Sequence, residues 1–386
     1  MSAVVDPGLL GEIKRLGAAD VSACFSCGNC TAICPLSSND GTFPRRMIRY
    51  AQVGMKDALL SSKELWTCYH CGLCSDTCPT QADPGGFMAA ARRYAIANYD
   101  RTRLAWTMYT QPALSTLIAV LLAAFFALFL YASHGPQNAA SLRLFRFIPE
   151  GLIHMTGVVV MVLVVLAGLT GVVTMASRLS RRERSRAGAP RGGRFWKALW
   201  VALGVESLGQ RRYRADCAAV QETRPWYRRR WLLHASTMWG FLGLLLATVL
   251  DYGLSLIGVK ATGTPVPIYY PVRLLGTIAG LAMIYGVTMF LVDRLRRDGQ
   301  AAKQSEASDW TLLLLLWITG VSGLLLELAL YLPHPPAWGY WVFLFHVSVA
   351  MELVLLAPFM KFAHAVYRPV ALFFLALAGE GMREGE

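Results

Sequence analysis

The sequence predicts an α-helical protein in two parts, an N-terminal α-helical dicluster ferredoxin domain followed by a six-span transmembrane helix bundle. Two observations carry this prediction: a cysteine motif that occurs twice in the first 80 residues, and long apolar runs that begin only after residue 108. Of the 386 residues, 55% are hydrophobic and 16% are charged, whereas soluble domains are about 25% charged. We therefore predict a soluble head (1–108), a membrane domain (109–366) and a C-terminal tail (367–386).

Six apolar runs are each long enough to cross a hydrocarbon core of roughly 30 Å, which takes about 20 helical residues. They cover residues 111–132, 152–176, 231–257, 271–293, 310–332 and 340–366. The loop 177–230 carries 15 Lys and Arg, whereas the loop 133–151 carries only Arg143 and Arg146. Because cytoplasmic loops are enriched in positive charge, we predict a multi-pass protein of the cytoplasmic (inner) membrane with both termini in the cytoplasm.

The net charge of +13 does not indicate a nucleic-acid partner, because the basic residues concentrate in two loops and just before the first apolar run. No secretory signal is visible, since Asp6, Glu12 and Asp20 interrupt the first residues. Clustered cysteines in a cytoplasmic head indicate metal rather than disulfides. The aromatic and basic residues of 195–200 predict either an interfacial helix or a surface helix packed against the head.

The most specific feature of the sequence is a four-cysteine motif with the spacing Cys-x2-Cys-x2-Cys-x3-Cys-Pro, at residues 24–35 and again at 68–79. Two-residue spacers let three thiolates of one turn reach three irons of a cubane, and in two-cluster ferredoxins the fourth cysteine ligates the other cluster. We therefore expect two [4Fe–4S] clusters with crossed ligands. The first is assigned Cys24, Cys27, Cys30 and Cys78, and the second Cys68, Cys71, Cys74 and Cys34. The alternatives are inert cysteines or a pair of zinc sites, which would not need the third cysteine of each motif.

The residues around the cysteines predict local structure. Gly28 and Gly72 lie inside the two turns, where the backbone approaches sulfide closely and a positive φ is expected. Pro44 and Pro84 each suit the first turn of a helix, so the ferredoxin is of an α-helical rather than a β-rich kind. His70, between two cysteines, is expected to be an exposed loop residue, with a hydrogen bond that tunes the cluster as the alternative.

Four of the seven histidines lie within predicted spans, where ionisable groups are costly and usually functional. His346 and His364 are 18 residues apart, or five turns, and on one continuous helix they project from the same face. A haem ligated on both faces needs two imidazoles at equal depth on facing helices. We predict two b-type haems, an outer one held by His154 and His346 and an inner one held by His234 and His364. The alternative is four interfacial histidines, each bonded to a carbonyl.

Two acidic residues, Glu327 and Glu352, lie inside the fifth and sixth runs. They are expected either to carry protons to a quinone or to be paired structural carboxylates. Cys217 stands alone in the basic loop and is expected to be unliganded. The head has no dinucleotide-binding glycine pattern and no Walker A motif, so nicotinamide and ATP chemistry are expected elsewhere.

The stretch 66–79, with the sequence WTCYHCGLCSDTCP, and Phe43-Pro44-Arg45 before it resemble the HdrC subunit of heterodisulfide reductases. The body resembles the HdrE subunit and the haem-b gamma subunit of respiratory nitrate reductases, and a fusion in this order is similar to the QmoC-type membrane subunit of quinone-interacting oxidoreductases. The resemblance implies two [4Fe–4S] clusters, haem b, a menaquinone or ubiquinone site, and cytoplasmic flavin and iron–sulfur partners of the HdrA, QmoA or QmoB kind. Another soluble redox enzyme is the alternative partner. The paired-cysteine motif that cleaves disulfides is absent from this sequence.

Together these features predict the membrane subunit of a quinone-linked oxidoreductase. It would pass electrons between a cytoplasmic flavin or iron–sulfur partner and the quinone pool through the clusters and haems. The alternative is a haem-free membrane anchor, a tethered ferredoxin that docks a soluble reductase. A third hypothesis is a redox sensor or an ion transporter. An ion transporter would need unwound spans with acidic pairs at the membrane midplane, and the sequence does not display that pattern.

Overall fold

The computed structural model describes residues 4–37, 43–138, 141–187, 192–216, 224–259, 266–332, 334 and 336–379. The predicted α-helical class is confirmed, because the structure is 76% helical and no β-strand occurs among these residues. The chain forms a head of short helices, six long apolar helices and a separate C-terminal helix. Cys217 lies outside the described residues.

Short helices build the head. They are Leu9–Lys14, Asn29–Ile33, Arg45–Gln52, Lys56–Leu60, Leu73–Asp76 and Pro84–Tyr99, with 3₁₀ turns at Ala19–Ala23 and Lys63–Trp66. The helices expected at Pro44 and Pro84 are present, with Pro44 as the N-cap of one and Pro84 as the first residue of the other. At these positions the missing N–H costs no hydrogen bond. Asp83 caps the longer helix by accepting from the Gly86 N–H at 3.1 Å.

The apolar core of the head continues into the membrane body. Trp66 is fully buried, and its ring lies 5.3 Å from that of Tyr367, a residue of the C-terminal helix. The same core contains Leu9, Ile13, Met47 and Phe87 of the head and Met175, Leu179, Phe359 and Ala371 of the body. Because separating the two parts would expose this apolar surface to water, the head is a fixed part of the molecule.

The six spans, numbered in chain order, are the helices Pro112–Tyr131, Glu150–Ala187, Arg230–Leu256, Pro271–Leu295, Ala307–Tyr331 and Trp338–Leu356. Each is long and apolar enough to cross a membrane, as the sequence predicts. The most apolar 18-residue stretch of span 6 is 44% buried, against 17% in spans 1 to 3. Span 6 is therefore the central helix. Short helices Leu104–Thr110, Leu144–Phe147 and Gln300–Lys303 lie outside the spans.

Spans 3 and 4 approach each other closely through glycines. A Cβ atom added at Gly240 would lie 2.6 Å from the carbonyl oxygen of Ala279, and one at Gly286 would lie 2.6 Å from that of Leu233. Any side chain at these two positions would push the backbones apart. Small residues at helix crossings serve this purpose in membrane proteins.

Span 6 ends earlier than the sequence predicts, because its helix stops at Leu356. Two 3₁₀ turns and a C-terminal helix follow: Ala357–Phe359, Lys361–Ala363 and His364–Leu377. Pro358 accounts for the break, since proline lacks an N–H and its ring crowds the preceding turn. The prediction of one helix over 340–366 is wrong, and so is the five-turn argument that placed His346 and His364 on one face.

The segment after span 2 packs against the C-terminal helix. Its elements are the helix Gly192–Trp200, a π-helical turn at Val201–Leu208, the helix Arg211–Asp216 and a 3₁₀ turn at Trp226–Arg228. The ring of Phe195 lies 5.2 Å from that of Phe373, whereas Trp196 and Trp200 are 72% and 70% exposed. Residues 195–200 therefore pack against the C-terminal helix, and the expectation that they pack against the head is wrong. The other expectation, an interfacial helix, stays a prediction.

Charged side chains hold the head to one end of the bundle. Arg93 of the head lies 2.8 Å from Asp309 at the start of span 5, and both side chains are less than a tenth exposed. Lys361 lies 2.9 Å from the same carboxylate. Arg182 of span 2 donates to the carbonyl oxygen of Ala58 at 2.6 Å. The head and the C-terminal helix therefore share one side of the bundle, called here the head side, and the other is the far side.

Candidate iron–sulfur centres and neighbouring histidines

The cysteines of the two motifs line two separate cavities, and each cavity takes three cysteines from one motif and one from the other. The first cavity is lined by Cys24, Cys27, Cys30 and Cys78. The second cavity is lined by Cys34, Cys68, Cys71 and Cys74. These are the two sets that the spacing groups together. Four thiolates form the donor set of a [4Fe–4S] cluster, so the residues of each cavity fit one cluster.

The cysteines of each set line a cavity and do not converge on the position of a single metal ion. Among the residues that the structure describes, no three His, Cys, Asp or Glu side chains are close enough to hold a single metal ion. Burial raises the pKa of the Cys34 thiol to about 12. For Cys78 burial acts in the same direction, but hydrogen bonds with Thr80 and the backbone at 80–82 outweigh it and lower the pKa. Iron would have to displace the proton from a buried thiol such as Cys34.

The two motifs share one backbone conformation. Two positions after the first cysteine of each motif, Ser26 and His70 have φ of 62° and 55°. Gly28 and Gly72, with φ of 94° and 97°, then precede the two short helices of the motifs, so the predicted positive φ is confirmed. In the second motif this turn brings the N–H of His70 to 3.4 Å from Cys68 Sγ. Hydrogen bonds to cluster sulfurs are one of the determinants of cluster potential.

The two cavities differ in what covers them. At the first cavity Cys27 is exposed and the side chain of Phe25 is 65% exposed. At the second cavity the membrane body supplies a cover. Gln304, between spans 4 and 5, has its Oε1 2.5 Å from His70 Nε2, and Arg230 of span 3 donates to the His70 carbonyl oxygen at 3.3 Å. The first cavity faces solvent, and the second faces the spans.

His70 is therefore not the exposed loop residue that its position between two cysteines predicts. It is half-buried and bonded to Gln304. Burial, reinforced by the charge of Arg92, lowers its pKa to about 3, so the ring is neutral. No local pattern indicates this environment, because Arg230 and Gln304, which enclose His70, lie more than 150 positions away in the chain.

Two arginines that belong to no sequence motif meet at the backbone of the second cysteine motif. Arg92 donates to the carbonyl oxygen of Cys68 at 2.7 Å. Arg368 of the C-terminal helix donates to the same oxygen at 3.4 Å and to that of Trp66 at 3.1 Å. The guanidinium of Arg368 also lies 4.4 Å from the centre of the Tyr69 ring. Neither role has a local sequence signal, because the carbonyl oxygen that both arginines contact lies 24 and 300 positions away in the chain.

The head-side histidines are His234, near the start of span 3, and His364, on the C-terminal helix. His364 is the first residue of the C-terminal helix, and its ring is 6.0 Å from that of Trp66. Burial, and after it the charges of Arg368 and Arg92, hold the pKa of His364 well below its usual value, and His234 acts in the same direction. The ring of His234, in span 3, lies 5.6 Å from that of Tyr213. The pairing of His234 with His364 stays a prediction, as does the haem that it would hold.

The far-side histidines, His154 and His346, have different neighbours from each other. The ring of His154 lies 4.1 Å from that of Tyr252 in span 3, and its Nδ1 is 3.8 Å from Glu150. His346 Nδ1 is 3.0 Å from the Ser322 hydroxyl of span 5. The pairing of His154 with His346 stays a prediction, as does the haem that it would hold.

The two intramembrane glutamates also differ. Glu327 of span 5 accepts from Thr277 at 2.6 Å and lies 3.1 Å from Arg273, both in span 4. This is the paired structural carboxylate of the two expectations. Glu352 of span 6 is 2% exposed, and within the described part of the chain its Oε1 has no hydrogen-bond partner. For Glu352 both expectations stay open.

Comparisons with known proteins divide the chain at the same place as the structure. Residues 20–82 match the family model described as a 4Fe-4S dicluster domain, and residues 105–385 match the model described as Citrate utilization protein B. The chain is 29% identical over 163 residues to Citrate utilization protein B of Escherichia coli, covering 42% of this chain and 41% of that protein. No solved structure matches the chain.

A second group of relatives bears on the resemblance of the head. The chain is 37% identical over 62 residues to the C subunit of the H(2):CoB-CoM heterodisulfide,ferredoxin reductase of Methanothermobacter thermautotrophicus, and equally to that of Methanothermobacter marburgensis. Each match covers 16% of this chain and 34% of the relative. The chain thus spans between a third and about two fifths of the curated relatives it matches. The expected relation to the HdrC subunit of heterodisulfide reductases is confirmed, and the fusion to a haem-b subunit stays a prediction.

Proposed function

The chain belongs to the citrate utilization protein B family and carries a 4Fe-4S dicluster domain ahead of it, and from this premise we propose that it is the membrane subunit of a quinone-linked oxidoreductase. At the coarser level the chain is a membrane-associated electron-transfer iron–sulfur subunit. The finer proposal is that it passes electrons between a soluble flavin or iron–sulfur partner and membrane quinone. Its membrane is proposed to be the cytoplasmic one, with the head inside.

One observation carries the proposal: Trp66, next to the second cysteine motif, contacts a histidine of the membrane body. Trp66 lies two residues before Cys68, and its ring is 6.0 Å from that of His364. Its carbonyl oxygen accepts from Arg368. A cluster held by Cys34 and the second motif would therefore lie within a few side chains of the head-side histidines, whereas one in the first cavity would lie near solvent.

The ligands proposed for the clusters are the cysteines that line the two cavities, and those proposed for the haems are the four histidines of the membrane body. Four thiolates per cavity would hold one [4Fe–4S] cluster each, and such clusters accept and donate single electrons. His234 and His364 would hold one b-type haem, also a one-electron carrier, and His154 and His346 a second. Within the chain, Arg92 and Arg368 fix the backbone of Cys68, and Trp66 is fully buried with its ring against that of His364.

The partner is proposed on the relatives' names and on the exposure of the first cavity. The matched methanogen subunits belong by name to a heterodisulfide, ferredoxin reductase, which motivates a flavin or iron–sulfur partner for this chain. Cys27 and Phe25 place the edge of the first cavity at the surface. A soluble protein could therefore bring its own redox group close to the first cavity without unfolding the head.

The haem-free anchor remains a second candidate, because His154 and His346 each have protein partners of their own. The separating measurement is cofactor content of the purified full-length chain. The quinone-linked proposal expects about eight non-haem irons and eight sulfides from two clusters, a sharp reduced α-band of haem b, and oxidation of the reduced protein by a quinone. Full iron and sulfide with no haem band and no response to quinone would leave a tethered ferredoxin.

A further inference from the structure

Two guanidinium groups from distant parts of the chain converge on one carbonyl oxygen beside the second cavity. Arg92, on the helix Pro84–Tyr99, and Arg368, on the C-terminal helix, both donate to Cys68. Their neighbour Arg93 is neutralised by the buried carboxylate of Asp309. Within the described residues, no carboxylate forms such an ion pair with Arg92 or Arg368, and the acceptors of both are backbone carbonyls.

The first cavity has a weaker counterpart. Arg45 donates to the carbonyl oxygen of Ser26 at 3.3 Å, and it is the arginine that lines this cavity. Cys27 is exposed there, so water and dissolved ions screen the charge of Arg45. The second cavity combines the two arginines at Cys68 with a cover formed by the membrane body, which includes a third arginine, Arg230. The same charge acts more strongly in that drier environment.

Reduction adds one negative charge to a [4Fe–4S] cluster, and fixed positive charges nearby stabilise that charge. Burial acts in the opposite direction, since a less polar environment disfavours added charge. We propose that Arg92 and Arg368 raise the midpoint potential of the cluster held by Cys34, Cys68, Cys71 and Cys74 above that of the cluster in the first cavity. This inference rests on the two-cluster ligation of the proposed function.

The consequence is a preferred direction of electron transfer within the head, from the first cavity to the second. An electron delivered to a cluster in the solvent-facing cavity would pass to a cluster in the second cavity, oxidising the first and reducing the second by one electron. No bond would be made or broken and no proton would be needed. The second cysteine motif is the one whose neighbour Trp66 contacts His364 of the membrane body.

The test is a redox titration of the full-length protein followed by electron paramagnetic resonance. A Cys74→Ser variant, which alters a ligand of the second cavity, first identifies the signal of that cluster. Arg368→Gln is then expected to lower the midpoint potential of the second cluster and leave that of the first unchanged. Arg368→Lys, which keeps the charge, is expected to retain most of the wild-type potential. Arg92→Gln gives an independent measurement if Arg368→Gln does not fold.

Two matched variants distinguish a local effect of charge on the midpoint potential from a general disturbance of the head. Arg45→Gln is expected to lower only the potential of the first cluster. Arg182→Gln removes an arginine that also donates to a head carbonyl, that of Ala58, but away from both cavities, and it is expected to shift neither potential. An unchanged second potential in Arg368→Gln and Arg92→Gln, or equal shifts of both clusters, overturns the inference. A wild-type protein that lacks two clusters would instead overturn the proposed function.

Discussion

The two ends of the membrane bundle differ in what surrounds their histidines. On the head side, His364 packs against Trp66 of the head and shares its helix with Arg368, which donates to two head carbonyl oxygens. His234 lies against Tyr213 of the segment after span 2. On the far side, His154 and His346 are each partnered within the bundle, by Tyr252 and Ser322. The head-side end is built to join a cysteine-rich domain to the spans. The far-side end has no such domain among the described residues, and its histidines are held by the spans alone.

Some basic residues on the head side have a second role besides setting topology. The number of basic residues in loops predicts topology, but two residues of the loop 177–230, together with Arg368 of the C-terminal helix, also contact the head. Arg182 donates to Ala58, Arg230 to His70 and Arg368 to Cys68, in each case to a carbonyl oxygen of the head. Part of the positive charge on this side therefore docks the head. Positive charge that sets topology can also form a domain interface.

The largest expected effect concerns the cysteines that cross between motifs. We predict that Cys34→Ala removes the cluster of the second cavity and Cys78→Ala that of the first, because each supplies the fourth thiolate of the cavity it lines. Each variant should lose about half of the non-haem iron and sulfide. Electron paramagnetic resonance of the reduced proteins identifies which signal is lost.

Uncrossed ligation would reverse the two signals. Cys217→Ala serves as the matched control, because this cysteine belongs to neither motif. It is expected to leave iron, sulfide and both signals at wild-type levels.

The next effect sharpens the comparison of the two ends directly. We predict that His364→Ala removes a haem and also disturbs the signal of the second cluster, since the His364 ring packs against Trp66. His346→Ala is expected to remove a different haem and leave the clusters unaffected, because its partner lies in span 5. Haem content and reduced difference spectra of the purified variants provide the measurement. Haem retained in both variants would contradict the pairing by depth.

Local spacing and composition in the sequence predict some of these features and not others. The cysteine sets and the positive φ of Gly28 and Gly72 follow from local spacing, and six spans follow from length and composition. The path of the chain after Leu356 does not, because a proline near a helix end can kink or stop it depending on what the next residues pack against. Here Tyr367 packs on Trp66, a residue of the head. Such long-range packing, which also positions Arg368, leaves no periodic signal in the sequence.

A third prediction compares a buried ion pair at the joint with an exposed one. Arg93→Met leaves Asp309, which is 3% exposed, without its closest partner, and breaking a buried pair in this way costs about 3–5 kcal/mol. Lys361, 2.9 Å from the same carboxylate, is expected to reduce that cost toward its lower limit. Thermal unfolding of the detergent-solubilised protein should show a clear loss of stability. An unchanged unfolding temperature would mean that the Arg93–Asp309 pair does not contribute to holding the head.

The control for this prediction is Arg178→Met. Arg178 lies 3.0 Å from Asp57, but that carboxylate side chain is 89% exposed. Exposed pairs contribute less than about 1 kcal/mol, so this variant should unfold close to the wild type.

The smallest expected effect separates the two glutamates. Glu327→Gln weakens the contacts with Arg273 and Thr277 and is expected to cost about 1–3 kcal/mol, since it replaces a charged acceptor. Glu352→Gln is expected to cost less, or to stabilise, because a buried carboxylate whose Oε1 lacks a partner among the described residues gains from losing its charge. Unfolding temperatures of the two variants test this order. If Glu352→Gln were the more damaging change, Glu352 would have a partner outside the described residues, and its carboxylate would not be free to carry protons.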